Sequence, residues 1–544
     1  MAVHCYDYIV VGAGTAGCVL ANRLTESGKY SVLLLEAGPR DSYLWIHIPI
    51  GYAKTMFHPV YNWGFYTEPE AGMHNRQVYW PRGRGLGGSS SINGLIYIRG
   101  QHQDYDHWAA LGNAGWGWRD VLPYFIKCEG NSRGASEYHG SDGPLNCSDI
   151  GERHPLMDAI IAGANELGVP RNDDFNGARQ EGVGYYQLFT RNGWRCSTAV
   201  GYLKPARRRA TLRVETEVYV TSLITERSNT DGAGPVARAV GVRYRQHGVE
   251  HEARAAREVI LAAGALQSPQ LLQLSGIGRA SLLREMGIAA VHDLPGVGEN
   301  LQDHLQARVM FKVKRPITIN DDLHSIWRRI RIGWQWLAHR SGPLAIGINY
   351  GGMFVRTRPE APTPDLQFHF AALSAEMAGA KTHPWSGCTF SVCQLRPTSR
   401  GTVMIKSPDP FAPPAMQPNY LSTEFDCRSA VEGVRVARRL ARTRALSELI
   451  GDEYRPGDSA KSDDDVLEFV RNYGATIFHP VGTCKMGADP LAVVDTRLKV
   501  HGVAGLRVVD AAIMPTLVSG NTAAPVVMIA EKAADMILQD AAPG

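Results

Sequence analysis

Short apolar runs, glycine turns and amphipathic stretches alternate at the start of the chain. Residues 6–11 (YDYIVV) have the pattern of a buried strand, residues 12–17 that of a turn, and residues 15–27 helical spacing. A second apolar run over residues 31–35 ends at Glu36. Continuous apolar runs of this length are typical of strands covered on both faces. The order predicts a β-α-β unit of a parallel sheet.

The later pattern predicts two interleaved domains. Residues 258–264 and 506–509 again form buried strands, the first followed by a helix from about residue 269 and the second running into Asp510. Between them, alternating segments at residues 366–370 and 402–405 predict an antiparallel sheet. At 544 residues the chain is too long for one core. We expect a nucleotide-binding domain over residues 1–155, 205–307 and 466–544, and a second domain over residues 156–204 and 308–465.

Composition excludes several classes of protein. A net charge of +4, from 57 basic and 53 acidic side chains without a Lys/Arg block, gives no indication of nucleic-acid binding. Nine cysteines without a C-x-x-C pair predict neither a disulfide framework nor a zinc site, and the spacing of Asp104, Asp106 and His107 does not demand a metal. The sequence contains no run of about 18 apolar residues, so it predicts no membrane span. Because the strand pattern leaves no room for a signal peptide, we expect a cytoplasmic protein.

The glycine turn predicts dinucleotide binding. Gly12, Gly14 and Gly17 form G-x-G-x-x-G between a strand and a helix, where they would allow a tight turn, close approach of a pyrophosphate and close helix packing. The first N–H groups of the helix would face the phosphates. Glu36 lies where a carboxylate accepts hydrogen bonds from ribose hydroxyls, which disfavours NADP but does not separate NAD from FAD. The alternative is a tight turn in another α/β protein.

Four separated motifs carry a family resemblance. Residues 83–93 (GRGLGGSSSIN) and 264–272 (GALQSPQLL), with HPVGTC at 479–484 and SGNT at 519–522, resemble the signature segments of the glucose–methanol–choline (GMC) family of FAD oxidoreductases. The resemblance covers nearly the whole chain. It implies an α/β and α+β fold, in which a Rossmann-like FAD-binding domain is interleaved with a substrate domain built on an antiparallel sheet.

The resemblance also implies the cofactor contacts. Glycines 87 and 88 would let the backbone approach the cofactor, and the serines that follow would offer hydroxyls and amides to it. A flexible surface loop is the alternative for this run. Some relatives attach the flavin through a His beside the Asn of this motif, where this chain has Ile92, so we expect dissociable FAD. The implied contacts are Gly12, Gly14, Thr15, Ala16, Gly17, Glu36, Ala37, Gly87, Gly88, Ser89, Asn93, Gly94, Leu95, Ile96, Val220, Asp510, Ala511 and Thr522.

Two residues near the end of the chain match the family's catalytic pair. His479 is implied to take the hydroxyl proton of an alcohol while a hydride passes to flavin N5, and Asn521 to orient the substrate oxygen. A buried structural His and a structural turn Asn are the alternatives, and His304 is expected to be structural. A quinone, a dye or oxygen would reoxidise the flavin. The second hypothesis is a lyase of the same fold that cleaves cyanohydrins.

The substrate is less well indicated. Choline-specific relatives tend to carry a Glu where this chain has Tyr350, so the resemblance favours a neutral primary alcohol, aliphatic or aromatic. Tyr350, Phe368 and Phe370 could line the pocket or belong to the core. Residues 323–340 (LHSIWRRIRIGWQWLAHR) read as a basic amphipathic helix. We expect its apolar face to pack inward; the alternative is association with an anionic membrane surface, peripheral to the inner membrane.

Overall fold

Two large sheets organise the chain. The computed structural model describes residues 4–229, 235–358, 360–377 and 379–542. The expected α/β and α+β fold is confirmed, because one sheet is largely parallel in its centre and the other is antiparallel. Within the described residues, no helix has the length and apolar character needed to cross a bilayer.

The first sheet contains the predicted β-α-β unit. Val32–Leu35 is buried along its whole length between parallel neighbours, as expected of a continuous apolar run. An antiparallel extension of three long strands completes the sheet. The strands in spatial order are Leu212–Glu215, Val32–Leu35, His4–Val11, Val249–Leu261, Pro235–Gln246 and Val218–Asn229, with Val503–Ala504 paired to the fifth and Leu506–Val508 to the fourth.

The helix Thr15–Leu24 begins at the glycine turn and lies close to the first strand. A Cβ on Gly17 would stand 1.8 Å from the carbonyl oxygen of Gly12, so only glycine permits this packing. The helix also packs against Ala523–Ala541, the last described helix. Arg23 and the fully buried carboxylate of Glu531 form an ion pair of 2.8 Å between these two helices.

The second sheet is antiparallel, as its alternating pattern predicts. Its strands in spatial order are Ile450–Arg455, Leu305–Val313, Gly387–Gln394, Leu366–Ala371, Asn349–Val355 and Gly182–Tyr185, with Ala475–Thr476 also paired to the second. Residues 402–405 do not join it, contrary to the prediction. Thr402–Met404 instead pairs with Ala415–Gln417 in a separate ribbon.

The predicted segment boundaries are crossed in two places. Leu305–Val313 belongs to the second sheet but begins before residue 308, and Ala475–Thr476 lies inside the segment 466–544 assigned to the nucleotide-binding domain. The two strands pair with each other in the second sheet, and the later of them lies shortly before His479 in the sequence.

Smaller elements surround the two sheets. The remaining α-helices are Leu44–His47, Tyr52–Thr55, His102–Ala110, Trp118–Cys128, Pro155–Glu166, Lys204–Ala206, Gln267–Leu274, Ala280–Glu285, Ile319–His324, Ile326–His339, Glu424–Ala441, Arg444–Ser447 and Asp463–Tyr473. Short 3₁₀-helices are Pro49–Gly51, Ala71–Met73, Gly88–Ser91, Pro343–Ala345 and Ala511–Ile513, with a π-helix at Ala199–Leu203. The remaining strands are Phe65–Tyr66, Tyr79–Trp80, Glu129–Asn131, Leu145–Asp149, Gln187–Leu188, Thr190–Arg191, Trp194–Arg195, Ile277–Gly278 and His292–Asp293.

The basic amphipathic segment differs from the prediction in two ways. It forms two helices, Ile319–His324 and Ile326–His339, instead of one. Its apolar face does not pack inward: the side of the longer helix that carries Trp327 and Trp334 is exposed to solvent. The opposite side, with Ile332 and Trp336, is buried against the protein.

Candidate active site

A cavity of about 360 Å³ lies between the two sheets. At one end it is lined by the glycine turn, Glu36 and Val220 of the first sheet, and at the other by His479 and Asn521. The predicted cofactor residues in its wall are Gly12, Gly14, Thr15, Ala16, Glu36, Ala37, Gly88, Ser89, Asn93, Gly94, Leu95, Ile96, Val220, Asp510, Ala511 and Thr522. Gly17 and Gly87 are not in the wall, although the sequence predicted both as contacts.

The glycine turn presents an open helix N-terminus to the cavity. Gly14 is the N-cap of the helix, no side chain caps it, and its first turn contains no acidic residue. Thr15 and Ala16 therefore offer backbone N–H groups and the positive end of the helix dipole to the cavity. Gly88 lies so close that a Cβ on it would stand 2.7 Å from the Cα of Gly14. This end of the cavity suits a phosphate group.

Glu36 holds the walls of this cradle together. One carboxylate oxygen accepts the N–H of Ala13 at 2.8 Å, and the other accepts the N–H groups of Gly38 at 2.8 Å and Gly85 at 2.9 Å. Burial raises the pKa of Glu36, while the three N–H donors oppose that change. The sequence predicted a contact with ribose and missed this cross-linking role, because Gly85 is distant in sequence.

The serine hydroxyls form hydrogen bonds within the glycine–serine loop. Ser89 Oγ accepts the N–H of Gly83 at 3.1 Å, Ser90 Oγ donates to the carbonyl of Gly87 at 2.6 Å, and Ser91 Oγ donates to Leu86 at 2.7 Å. A Cβ on Gly87 would stand 2.2 Å from Ser91 Oγ. Gly87 therefore allows the loop to fold tightly, although it does not itself line the cavity. Ser90 and Ser91 donate their hydroxyl protons to the loop backbone, whereas Ser89, which lines the cavity, only accepts there, so its contact with the cofactor stays a prediction.

Asn93 is fixed by a buried guanidinium. Its Oδ1 accepts Nη1–H of Arg195 at 2.8 Å and the N–H of Leu95 at 3.1 Å. Leu95 has a left-handed backbone, with φ of 68°, which turns the chain along the cavity wall. The Cα of Gly94 faces open space, since a Cβ there would meet no atom within 4 Å. A flat group could lie against this bare backbone.

The last strand of the first sheet ends at a second anchored carboxylate. Asp510 Oδ2 accepts the N–H of Gly264 at 2.8 Å and the hydroxyl of Ser268 at 2.6 Å, and Oδ1 accepts the N–H of Ala512 at 2.8 Å. The loop with Ala511 is thereby held at the cavity wall. Burial raises the pKa of Asp510, and these three donors act against it.

His479 and Asn521 meet in the structure. Asn521 Nδ2 lies 3.3 Å from His479 Nε2, and Asn521 Oδ1 accepts Nε2–H of Gln367 at 3.1 Å. Gln367 also donates to the Tyr186 hydroxyl at 3.1 Å, which itself donates to the carbonyl of Phe368 at 2.8 Å. The carbonyl of Phe368 can only accept, so the Tyr186 hydroxyl donates to it and accepts from Gln367, whose NH₂ group also donates to Asn521 Oδ1. The Asn521 amide therefore turns its NH₂ group towards His479. His479 Nε2 is therefore an acceptor.

His304 leads to the same conclusion from the other side of the ring. His304 Nε2 lies 3.0 Å from the carbonyl of Leu395, which only accepts, so this nitrogen carries the proton. In the neutral ring His304 Nδ1 then has a lone pair, and it lies 2.9 Å from His479 Nδ1. His479 must donate from Nδ1, which leaves Nε2 with its lone pair directed towards Asn521 and the cavity. Sequence analysis expected His304 to be structural and missed this contact.

The three buried histidines at this end are neutral. The pKa of His479 is lowered well below 6.5 by burial first, and then by His304, His369 and Arg82. Burial lowers the pKa of His304 and that of His369 to about 4 each. His369 lines the cavity beside Asn521 and was not among the predicted residues.

Asp303 positions the backbone of His479. Its Oδ1 accepts the His479 N–H at 2.7 Å, and its Oδ2 accepts the hydroxyls of Thr476, at 2.5 Å, and of Tyr420. Burial raises the pKa of Asp303 to about 6. The preceding residue, Phe478, has a left-handed backbone with φ of 72°, held by the bond of its N–H to Thr476 Oγ1 at 2.6 Å. The strained turn is thus fixed from several sides.

The aromatic residues left open by the sequence belong to the core. Tyr350, Phe368 and Phe370 are buried and do not line the cavity. Strands place successive side chains on opposite faces, so Asn349 and His369 face the cavity while their aromatic neighbours face away. The inference against choline from Tyr350 therefore loses its basis, because Tyr350 is not in the pocket.

At the His479 end the charged side chains in the described cavity wall are guanidinium groups, whereas the carboxylate of Asp303 lies behind the His479 backbone and acts on Arg82 from there. Arg82 and Arg308 line the cavity, and Arg195 lies behind Asn93. Burial lowers the pKa of Arg82 and of Arg308 to about 10 each, and that of Arg195 to about 9. The acidic side chains in the described wall are Glu36 and Asp510, both held by backbone N–H groups of the first sheet. Gln306, next to Arg308 in the wall, is neutral.

Comparison with known families agrees with this geometry. Residues 6–306 match the N-terminal model of the GMC oxidoreductases, and residues 397–530 match the C-terminal model. The chain belongs to the GMC oxidoreductase family. It is an FAD-dependent oxidoreductase that acts on CH–OH groups.

Relatives of this family member extend over its full length. It is 44% identical to the mitochondrial choline dehydrogenase of Mus musculus, covering 98% of this chain and 89% of that protein. It is 42% identical to the alcohol dehydrogenase [acceptor] of Pseudomonas putida, covering 98% and 96%. Among solved structures, pyridoxine 4-oxidase from Mesorbium loti is 30% identical with a TM-score of 0.87, covering 97% and 98%. An Aspergillus oryzae formate oxidase variant is 26% identical with a TM-score of 0.92, covering 99% of each chain.

The residues present fit FAD. The open helix N-terminus at Thr15 suits the pyrophosphate, and the bare backbone at Gly94 leaves room for a planar ring. Gly264, also in the wall, likewise has open space where a Cβ would stand. The cavity runs without interruption from the glycine turn to His479, as a molecule with a nucleotide at one end and a reactive ring at the other requires.

Proposed function

We propose that this protein oxidises a neutral primary alcohol to the aldehyde, with His479 as the base. The observation that carries the proposal is the unprotonated Nε2 of His479, which faces the cavity with Nδ1 engaged by His304. A low pKa keeps this imidazole neutral at ordinary pH. A neutral imidazole with a free lone pair is the form that can remove a hydroxyl proton.

Each residue of the pair has one task in this proposal. His479 Nε2 takes the hydroxyl proton, and the resulting imidazolium keeps its Nδ1–H bond to His304. Asn521 Nδ2–H, which now points at His479 Nε2, donates to the substrate oxygen when the alcohol enters between them. FAD, when bound, supplies the acceptor for the hydride that leaves the alcohol carbon. Arg82 and Arg195 add positive charge near the reacting atoms, which favours the alkoxide.

The charges of the cavity favour a neutral alcohol over choline. A trimethylammonium group in the substrate half would meet the guanidinium of Arg308 and no carboxylate among the described wall residues. The neutral Gln306 and Asn349 do not offset that charge. We therefore propose that the charge of the cavity wall makes this enzyme prefer neutral alcohols to choline. In this it would differ from the choline dehydrogenases to which it is 44% identical.

The cofactor contacts implied by the family are proposed as well. The wall residues from Gly12 to Thr522 given above would hold FAD, with Gly17 and Gly87 acting on the shape of the cradle. Ile92 lines the cavity without a nucleophilic side chain, which supports a dissociable flavin. The electron acceptor, oxygen or a quinone, is left to experiment, and no observation favours the cyanohydrin lyase.

Anaerobic reduction of the bound flavin tests the proposal. The purified yellow protein is mixed without oxygen with a series of primary alcohols and with choline, and flavin absorbance is followed by stopped flow. We expect neutral alcohols to bleach the flavin rapidly and choline to do so poorly. His479→Ala should retain FAD and lose most of the reduction rate, whereas Asn521→Ala should lose less. Flavin that no alcohol bleaches, or His479→Ala with near-normal rates, would contradict the proposal. Repeating turnover with oxygen and with a quinone analogue identifies the acceptor.

A further inference from the structure

One helix of the structure exposes the face that its sequence would be expected to bury. On Ile326–His339 the side chain of Trp327 is 77% exposed and that of Trp334 is 68% exposed. Ile326, Ile330 and Leu337 are exposed beside them, and Leu323 of the preceding helix continues the surface. We call these six residues the apolar face. Contiguous exposed apolar surface of this kind marks an interaction site.

The apolar face is presented by a helix that is well anchored on its other side. Trp336 is buried, packs edge-on against Trp194 with ring centroids 4.6 Å apart, and donates from Nε1 to the carbonyl of Gly193 at 3.0 Å. Arg340 covers both indole rings, with its guanidinium carbon 4.4 Å from the ring centroid of Trp336. The orientation of the helix is therefore fixed, and the apolar face is held outward.

The arrangement of charges around the apolar face selects its partner. At about 100° per residue, the five apolar side chains of the longer helix share an arc of about 100°, and Arg329 and Arg331 border that arc on opposite sides. Both arginines are exposed, and residues 323–340 contain no Asp or Glu. A second copy of this chain would bring two such basic borders together, which is unfavourable. An anionic bilayer satisfies both the apolar side chains and the arginines.

We propose that the apolar face docks the protein on the surface of an anionic lipid bilayer. Trp327 and Trp334 enter the interfacial region, where indole rings are favoured, and Arg329 and Arg331 contact the anionic headgroups. The helix lies in the plane of the interface and does not cross it. This inference stands on the surface alone and does not depend on the proposed reaction.

The docking helix adjoins the cavity. It is followed by the short helix Pro343–Ala345, which contacts Pro49–Gly51, and the chain reaches the cavity wall directly after Gly51 and three residues after Ala345. Tyr52 and Ile348 are part of that wall. The docking helix and the cavity wall are thus connected through two short segments of the chain.

Vesicle flotation of the FAD-loaded protein tests the proposal. Vesicles of phosphatidylcholine alone and of phosphatidylcholine with phosphatidylglycerol are compared at low and high salt. The wild-type protein should float with the anionic vesicles at low salt and less at high salt. W327S/W334S should lower the partition coefficient about a hundredfold or more, because two indole rings no longer leave water. R329Q/R331Q should lower it about thirtyfold on anionic vesicles only.

Matched variants separate docking from general surface effects. L167S/V249S removes two other exposed apolar side chains, and R207Q/R208Q removes two other exposed arginines, so both should float like the wild type. All variants should keep flavin absorbance and turnover of a water-soluble alcohol. A wild-type protein that does not float, or a W327S/W334S variant that floats equally well, overturns the proposal. Sedimentation velocity that shows a dimer abolished by W327S/W334S, without vesicle binding, would assign the apolar face to a second copy instead.

Discussion

Nδ1 of His304 lies 2.9 Å from Nδ1 of His479, and this contact determines which nitrogen of His479 stays basic. The carbonyl of Leu395 fixes the proton of His304 on Nε2, so His304 can only accept from His479. His304 does not line the cavity. It is a positioning residue, acting on catalysis through the ring of its neighbour.

Removing the acceptor at position 304 should disable the base. His304→Leu allows His479 to carry its proton on Nε2, where it blocks proton removal, so the limiting rate of flavin reduction should fall between about a hundredfold and ten-thousandfold. FAD content should be unchanged. His304→Asn places an amide oxygen near the former Nδ1 position and should recover most of the rate. Equal rates in His304→Leu and the wild type would show that the tautomer assignment is wrong.

The low pKa of His479 predicts that flavin reduction keeps its rate at a pH where an ordinary histidine would be protonated. Reduction requires the neutral imidazole, and burial first, then the neighbouring His304, His369 and Arg82, lower the pKa of His479 well below 6.5. His479 therefore stays neutral as the pH falls through 6.5, and the limiting rate of anaerobic flavin reduction should stay constant there. The rate should decline only at lower pH, where the ring becomes protonated. An inflection at or above 6.5 would mean that another group controls the reaction.

Arg308 should determine the response to cationic alcohols. Arg308→Met removes a positive charge from the cavity wall, so kcat/KM for choline should rise about tenfold. The value for a neutral alcohol of similar size should change little. Arg207→Met, on the exposed surface, serves as the control. Parallel changes for both substrates in Arg308→Met would argue for a structural role of the guanidinium.

A methyl group at position 94 should test the cofactor fit without disturbing the fold. A Cβ on Gly94 meets no protein atom within 4 Å, so Gly94→Ala should preserve the circular dichroism spectrum. The added group enters the space proposed for the flavin, and FAD affinity should fall about tenfold. Gly333→Ala, equally free of contacts on the exposed helix, should bind FAD normally. Unchanged affinity in Gly94→Ala would place the flavin elsewhere.

Local sequence predicted the nucleotide end of the cavity well. The turn, the helix from Thr15 and the strand ending before Glu36 depend on neighbours within about thirty residues, and all three occur in the structure. His479 and Asn521 were identified through the family motifs and do lie together. Their assigned roles stay predictions.

Contacts between distant segments could not be predicted in the same way. His304 and His479 are 175 positions apart, and nothing in either motif names the other. Phe368 and Phe370 look like pocket residues by type, but the register of their strand turns them away and His369 inward. For residues 323–340 the pattern revealed an amphipathic helix without revealing which face the protein covers.

The ion pair between Arg23 and Glu531 has a consequence for the order of events during synthesis. The helix that begins at the phosphate end of the cavity rests on a helix translated some five hundred residues later, and the segment carrying Asn521 and Thr522 immediately precedes that helix. A nascent chain still lacking this segment has no closed wall beside its glycine turn. We therefore expect the growing polypeptide to bind flavin only after residues 510–541 have left the ribosome.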